Sequence, residues 1–383
     1  MLDIYTYLFY TLFLIFCLIY SNQLKVKNGG INKRSEIDFS SKRIYLLMLI
    51  YSLVIGLRYK VGWDFVGYEK WLNELRRTGI FPVDNDIGFI WLNKLIVFFH
   101  FENYALFILM SFFQIFFILK FLEKIPFLRV WFFFFFFTSL LFFVSLNAMR
   151  QALDIFIFMY CLQLFFDKKY FFFLCFFTLS LSIHKTVMLV FIFVPFLKWE
   201  WYENYKLQIF FLVLSTFVLG DYKLVLLKYA SPFANFLGYN YYIENIDFIN
   251  KITIETRRGD GSSIYLFFFI DLFIILFYDK LKNKFINYNF ISFYNLFFTG
   301  VILSRVFVDN FILARIADYF IFFRVVILSF LMFYIFNIFS YRRRKFFQPI
   351  AISICVAMLL FYYKAIYNNA AGVSPFQFVF DHD

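Results

Sequence analysis

The chain has 383 residues, of which 63% are hydrophobic, 27% aromatic and only 16% charged, with a net charge of +12. A soluble domain is about half apolar and about a quarter charged, because its surface has to be covered with something polar. A cytosolic enzyme, a disulfide-rich secreted module and a disordered chain are excluded, which leaves an all-α, polytopic integral membrane protein forming a single transmembrane helical domain over residues 1–383.

A membrane helix needs about 20 apolar residues. Apolar runs fall near 4–20, 44–57, 103–121, 130–148, 150–166, 170–183, 186–197, 207–222, 264–278, 289–304, 311–340 and 347–364, which predicts about 12 transmembrane helices. The first run has neither a basic n-region nor a small-residue cleavage site, so it reads as a retained helix. The shorter run 87–99 follows a polar loop and reads as an interfacial or re-entrant helix. Re-entry is also open to the pair 170–183 and 186–197, and would leave the parity of the topology unchanged. Phe, Tyr, Ile, Lys and Asn are plentiful and Ala is scarce, the mark of AT-rich coding sequence, so the run from Phe132 to Phe137 reads as lipid-facing bulk. Cys17, Cys161, Cys175 and Cys355 lie in apolar runs without a CxxC pair, and neither zinc nor a disulfide framework is expected.

Twelve crossings make a prediction that the charges can test, because cytoplasmic loops are rich in Lys and Arg. The loops after odd-numbered crossings hold 20 of the 37 basic residues and only seven acidic ones. They include Lys25, Lys27, Lys42 and Arg43; Lys120, Lys124 and Arg129; Lys168 and Lys169; Lys280, Lys282 and Lys284; and Arg342 to Lys345. The positive excess therefore lies on one face, where it orients the chain and attracts anionic lipid. It is not arranged to read nucleic acid. Both termini then lie outside the cytoplasm, with two long outer loops at about 58–102 and 223–263. The second holds the polar stretch Lys251, Glu255, Arg257, Arg258 and Asp260.

Charge at membrane depth is costly and usually faces a cavity or a partner. The residues of this kind gather at the outer ends of several crossings. They are Arg58 and Asp64, with Tyr68 one helical turn later; Arg150 and Gln151 after Asn147; His184 and Lys185; Arg305 and Asp309; and Arg315, Asp318 and Tyr319. One interfacial Arg is usually a lipid anchor. Several Arg with a His and an Asp on one side suit an oxyanion, because the guanidinium fork binds phosphate bidentately and stays charged. A neutral imidazole at His184 can accept a proton from a hydroxyl. Asp154 and Asp271 fall inside predicted helices, where a neighbouring Arg is the natural partner. No Walker loop, Rossmann glycine fingerprint, HExxH or DxD pair occurs, so no cofactor and no metal are expected.

Four elements resemble the EpsG family of bacterial exopolysaccharide proteins. The first is Gly56-Leu57-Arg58-Tyr59-Lys60-Val61-Gly62-Trp63-Asp64 with Tyr68, and the second is Leu146-Asn147-Ala148-Met149-Arg150-Gln151-Ala152-Leu153. The third is Ile183-His184-Lys185-Thr186 ahead of Pro195, and the fourth is Arg315-Ile316-Ala317-Asp318-Tyr319-Phe320. They occur in the family's order across residues 40 to 325. Two departures stand out. The family's E-P-G-like turn reads Asp86-Ile87-Gly88 here, and Asp154 replaces a small residue.

The resemblance implies a Wzy-like polysaccharide polymerase (a membrane glycosyltransferase) in the bacterial cytoplasmic membrane. Such a protein joins undecaprenyl-diphosphate-linked oligosaccharides on the outer face, with membrane lipids and other polysaccharide-assembly proteins as partners. It implies Arg58, Arg150 and Arg315 as diphosphate ligands and His184 or Asp64 as the base. Gln151, Tyr68 and Tyr319 would orient sugar or phosphate, and Lys185 would bind phosphate or tune His184. A ligase using the same lipid donor, a flippase of lipid-linked oligosaccharide and a structural synthase subunit are the competing readings.

Overall fold

The computed structural model describes residues 3–27, 35–82, 86–217, 262–307 and 311–381. The outer loop 223–263, apart from its last residues, lies outside the described residues, as do Asp309 and His382. Among the described residues the chain is all-α apart from a two-residue ladder, Val26–Lys27 with Glu36–Ile37, and a single bridge between Arg58 and Phe378.

Two compact units divide the chain: Met1–Val187 with Cys355–Asp383, and Met188–Ile354. The first holds α1 (Ile4–Gln23), α2 (Lys42–Gly56), α3 (Phe65–Thr78), α4 (Ile87–Phe98), α5 (Tyr104–Leu122), α6 (Arg129–Thr138), α7 (Leu141–Asn147), α8 (Met149–Phe166) and α9 (Tyr170–Ile183). The second holds α10 (Met188–Phe191), α11 (Tyr205–Phe217), α12 (Ser262–Phe285), α13 (Phe290–Val306), α14 (Phe311–Ile321) and α15 (Phe323–Phe333). The last helix, α16 (Tyr341–Tyr367), starts in the second unit and ends in the first.

Among the described residues, five helical stretches are long and apolar enough to cross a membrane: Ile4–Gln23, Tyr104–Leu122, Met149–Phe166, Ala314–Ile338 and Tyr341–Tyr367. A sixth forms if the pair Pro126–Thr138 and Leu141–Asn147, bent by 65°, is one span. Among the described residues, length and apolarity thus give a multi-pass membrane protein with five or six such spans, which does not confirm the expected twelve. Four other expected crossings are shorter helices, α2 with 15 residues, α9 14, α11 13 and α13 17, while α12, over the expected run 264–278, has 24 residues but carries Asp271, Asp279, Lys280, Lys282 and Lys284 and is not among those spans. Run 186–197 is not one helix but short 3-10 turns around the four-residue α10. The short helix expected near 87–99 is α4, with Ile87, Trp91, Leu95 and Phe98 exposed along one stripe.

Each unit, taken by itself, sorts its loops by end. In the first unit the segments after α1, α5 and α8 meet. The Ile37 amide donates to the Glu123 carbonyl at 3.1 Å, Arg129 Nε donates to Ser21 O at 2.6 Å, and Lys124 pairs with Glu36 and, at 3.5 Å, with Asp167. In the second unit Lys282 pairs with Glu200 at 2.5 Å, and Lys280 lies 5.6 Å from the ring centre of Phe347. These are the loops that the charge alternation groups together. At the other end of the first unit, the segments after α2 and α7 meet each other and the C-terminal tail, and the segment after α9 meets Asp86 at the start of α4.

Phe132, Phe133, Phe135, Phe136 and Phe137 are fully buried, so this run is protein core and not lipid-facing bulk. Phe136 packs on Phe156 of α8, and Phe137 on Phe13 of α1. Sequence composition cannot separate a lipid-facing Phe from one between helices, because both surroundings are apolar. Gly56 permits the close crossing of α2 and α5: a Cβ there would overlap the backbone and side chain of Ile108. Gly56→Val should therefore lower thermal stability by about 1–3 kcal/mol through overpacking, read as a fall in the unfolding midpoint in detergent.

Candidate functional site

Helix α7 ends at Asn147 and α8 starts at Met149, and this break leaves backbone carbonyls without helical donors. At membrane depth such groups need partners from the protein. Arg58 supplies one. Its side chain is wholly buried, and Nη2 donates to the Leu146 carbonyl at 2.9 Å and to Met149 Sδ at 3.0 Å. Nη1 donates to Ile55 O at 2.7 Å and Nε to Val61 O at 3.2 Å, while the guanidinium lies 4.9 Å from the ring centre of Phe107. Gln114 Nε2 donates to Ser145 O and Met149 O.

Asn147 completes the junction. Its Oδ1 accepts from the Trp63 amide at 2.6 Å, and its Nδ2 donates to Phe143 O and Ala371 O. Gly62 sits at φ +96°, where a Cβ would press on Asn147 Oδ1 and Leu146 O. The tail closes over this loop, with the Tyr59 amide on Gln377 O and the Gly62 amide on Gly372 O, each at 2.8 Å. The first two signature elements are thus one interlocked structure. Arg58 is its internal tie, and the expectation that its fork faces a ligand does not match this placement. Asp64 starts α3, exposed, with no side-chain capping bond.

Arg150, His184 and Lys185 converge on a residue not singled out from sequence, Asp86. Its carbonyl caps α4, accepting from the Ile90 amide at 3.1 Å, but its side chain makes no cap bond and points to α8 and α9 instead. Oδ2 lies 3.2 Å from His184 Nδ1 and 3.7 Å from Arg150 Nη1, and Oδ1 lies 3.9 Å from Lys185 Nζ. A carboxylate only accepts, so His184 Nδ1 carries the proton and Nε2 is the basic nitrogen. The side chains of Asp86, His184 and Arg150 are 10%, 12% and 16% exposed, and that of Lys185 63%, so Lys185 is the open edge of the group.

Three features hold these residues in place. The His184 amide donates to Ser180 O at 3.0 Å, ending α9 there. Gly88 lets α4 approach α9 so closely that a Cβ would overlap Ser182. The Arg150 guanidinium lies 4.9 Å from the ring centre of Phe89 and 5.8 Å from that of Trp71, and both rings meet the buried Tyr68 edge-on. Gln151, next to Arg150 in the first turn of α8, is buried. Tyr68 therefore enters through the aromatic layer under Arg150.

Arg315 and Tyr319 lie on α14 in the second unit, Tyr319 fully buried and Arg315 partly so. Asp154 accepts a hydrogen bond from the Ser180 hydroxyl. Asp271 pairs with Arg305 and with Arg324, a residue not picked from sequence although a lone Arg inside an apolar run was a legible signal. No group of three or more potential metal ligands occurs among the described residues.

The family model described as the EpsG family matches residues 43–378. The chain belongs to the EpsG family. Comparisons with curated proteins and with solved structures return no match. As an EpsG-family member it is a polysaccharide-polymerase-like membrane protein. The matched span takes in Arg58, Asp86, Asn147, Arg150, His184 and the tail that closes on them. In this EpsG protein, Arg58→Gln should lower the unfolding midpoint by on the order of 5–10 °C, since several buried acceptors lose a charged donor. Arg150→Gln should stay within a few degrees of wild type. Thermal unfolding of the purified variants checks the contrast.

Proposed function

We propose that this EpsG protein is a glycosyltransferase of the polymerase type. It joins undecaprenyl-diphosphate-linked oligosaccharide repeat units on the extracytoplasmic face of the bacterial inner membrane, in exopolysaccharide, capsule or O-antigen synthesis. The observation that carries the reading is the contact of Asp86 with His184 Nδ1 beside two cations. With a neutral imidazole, Asp86, Arg150 and Lys185 sum to one positive charge, the sign needed beside a diphosphate leaving group.

In this reading the acceptor sugar hydroxyl attacks the anomeric carbon of the donor unit. The bond from that carbon to the diphosphate oxygen breaks, and undecaprenyl diphosphate leaves. The hydroxyl proton passes to His184 Nε2. Asp86 orients the ring and stabilises the imidazolium that forms. Arg150 and Lys185 offset charge growing on the diphosphate, whose sugar bond is already activated, so no nucleotide is consumed. Gln151 and Tyr68 position sugar or phosphate, and Asp64 is the alternative base. Arg58 serves by holding the α7–α8 junction that presents Arg150. The basic loops then face the cytoplasm, which puts both termini outside, and membrane lipids and other polysaccharide-assembly proteins surround the enzyme.

The test is an assay of purified protein in nanodiscs with the host's lipid-linked repeat unit, without nucleotide or added metal. A ladder of lipid-linked lengths is expected. Release of glycan from the lipid would mark a ligase, and an absent ladder from folded protein, with lipid-linked unit moved across a bilayer, would mark a flippase. His184→Gln and Asp86→Asn should each slow ladder formation by about 10²-fold or more while leaving insertion intact. Arg150→Ala should insert normally and lose long polymer, and Arg150→Lys should recover only part of it, because a point charge does not reproduce the fork. Wild-type chain lengths from Arg150→Ala would remove that residue from the site.

A further inference from the structure

The second unit holds a charge cluster that the proposed chemistry does not use. Asp271 of α12 is fully buried, and both its oxygens accept from arginines. Arg324 of α15 grips it side-on, Nε to Oδ1 at 2.9 Å and Nη2 to Oδ2 at 2.8 Å. Arg305 of α13 adds Nη2 to Oδ2 at 2.7 Å and gives Nη1 to the Val301 carbonyl at 2.9 Å. The side chains of Arg305 and Arg324 are 8% and 11% exposed.

Arg324 and Asp271 already form a complete, neutral, bidentate pair. A structural lock between α12 and α15 needs nothing more. Among the described residues, Arg305 makes the triad cationic by one unit inside an apolar helical unit, where an uncompensated charge is expensive. Donors also remain. Arg305 Nε is buried without an acceptor, and no hydrogen bond among the described residues uses Arg324 Nη1. That guanidinium instead lies 4.5 Å from the ring centre of Phe267, which leaves its plane fixed. Two arginines of fixed orientation, one surplus charge and unused N–H groups match an anion with several acceptor oxygens better than they match a side chain.

We propose that the Asp271–Arg305–Arg324 triad is a phosphate-binding site in the second unit, with Asp271 as the built-in counter-anion that holds the two forks ready when no ligand is bound. The ligand is a phosphoester or diphosphate, carried by a lipid headgroup or free in solution. The site does not depend on the role given to Asp86 and His184.

The test removes the other cationic group first. In an Arg150→Gln, Lys185→Gln background, unfolding midpoints are measured against inorganic pyrophosphate in detergent, and in phosphatidylcholine nanodiscs with and without phosphatidylglycerol. At least one of these anions should raise the midpoint by several degrees. Arg305→Gln, which leaves the neutral pair, should abolish the rise. Asp271→Asn, which removes the competing carboxylate, should tighten apparent binding about tenfold. A rise with pyrophosphate identifies a soluble phosphate as sufficient, and a rise with phosphatidylglycerol alone identifies a lipid headgroup. A rise that survives Arg305→Gln, or no rise with either anion, overturns the proposal and leaves the triad a structural ion cluster. Should Asp271→Asn fail to insert, Arg305→Gln alone decides.

Discussion

A guanidinium buried against backbone carbonyls is the constraint on which the first unit depends. A helix broken at membrane depth exposes carbonyls that lipid cannot satisfy. Arg58 meets that need at the α7–α8 junction with a charged donor, which is stronger than a neutral one. Gln114 and Asn147 share the task from α5 and from the junction itself. Because the break is stabilised, α8 begins where it does, and Arg150 stands in its first turn rather than in mid-helix. The tail from Ala371 to Val379 seals the same loop by backbone bonding, so segments far apart in the chain form one lid over the junction.

The same logic of spending polar groups economically separates two kinds of cation. Arg58 makes its bonds at 2.7–3.2 Å and is wholly covered. Arg150 and Lys185 stand 3.7 and 3.9 Å from Asp86, beyond hydrogen-bond length, so they pair with it as ions rather than through hydrogen bonds of those atoms. The tight contact of Asp86 is with His184. One carboxylate thus fixes a tautomer and loosely balances two cations, an arrangement suited to a site whose occupant is itself anionic.

Much of this was legible in the chain. Apolar run lengths placed most helices to within a few residues, because a helix in apolar surroundings is itself an apolar run; they did not tell a full-length crossing from a shorter helix. Alternating basic loops grouped the segments that meet at each end, since charge is the one property that differs between the two sides of a membrane. Arg150, His184 and Lys185 stood out as charges at helix junctions, and they do converge. Asp86 stood out only as part of a departure from the family's turn and not as a site residue, because its partner His184 lies 98 residues away. Arg58 stood out for the right reason, a cation at a membrane boundary, but the chain does not say whether such a cation faces a ligand or its own backbone.

By itself, then, the sequence determined class, membrane location, family and the residue types available for chemistry, because these follow from composition, period and short motifs. Only tertiary structure decided how those residues are used. Burial turned the Phe132–Phe137 run from lipid-facing bulk into core. Packing at Gly88 brought α4 against α9 and so joined Asp86 to His184. Long-range hydrogen bonding assigned Arg58 to the scaffold and put Arg305 and Arg324 on one carboxylate. The physical reason is common to all three. An Arg, Asp or Phe has the same local propensities whatever it touches, and its role is set by the dielectric and the partners that the folded chain puts around it.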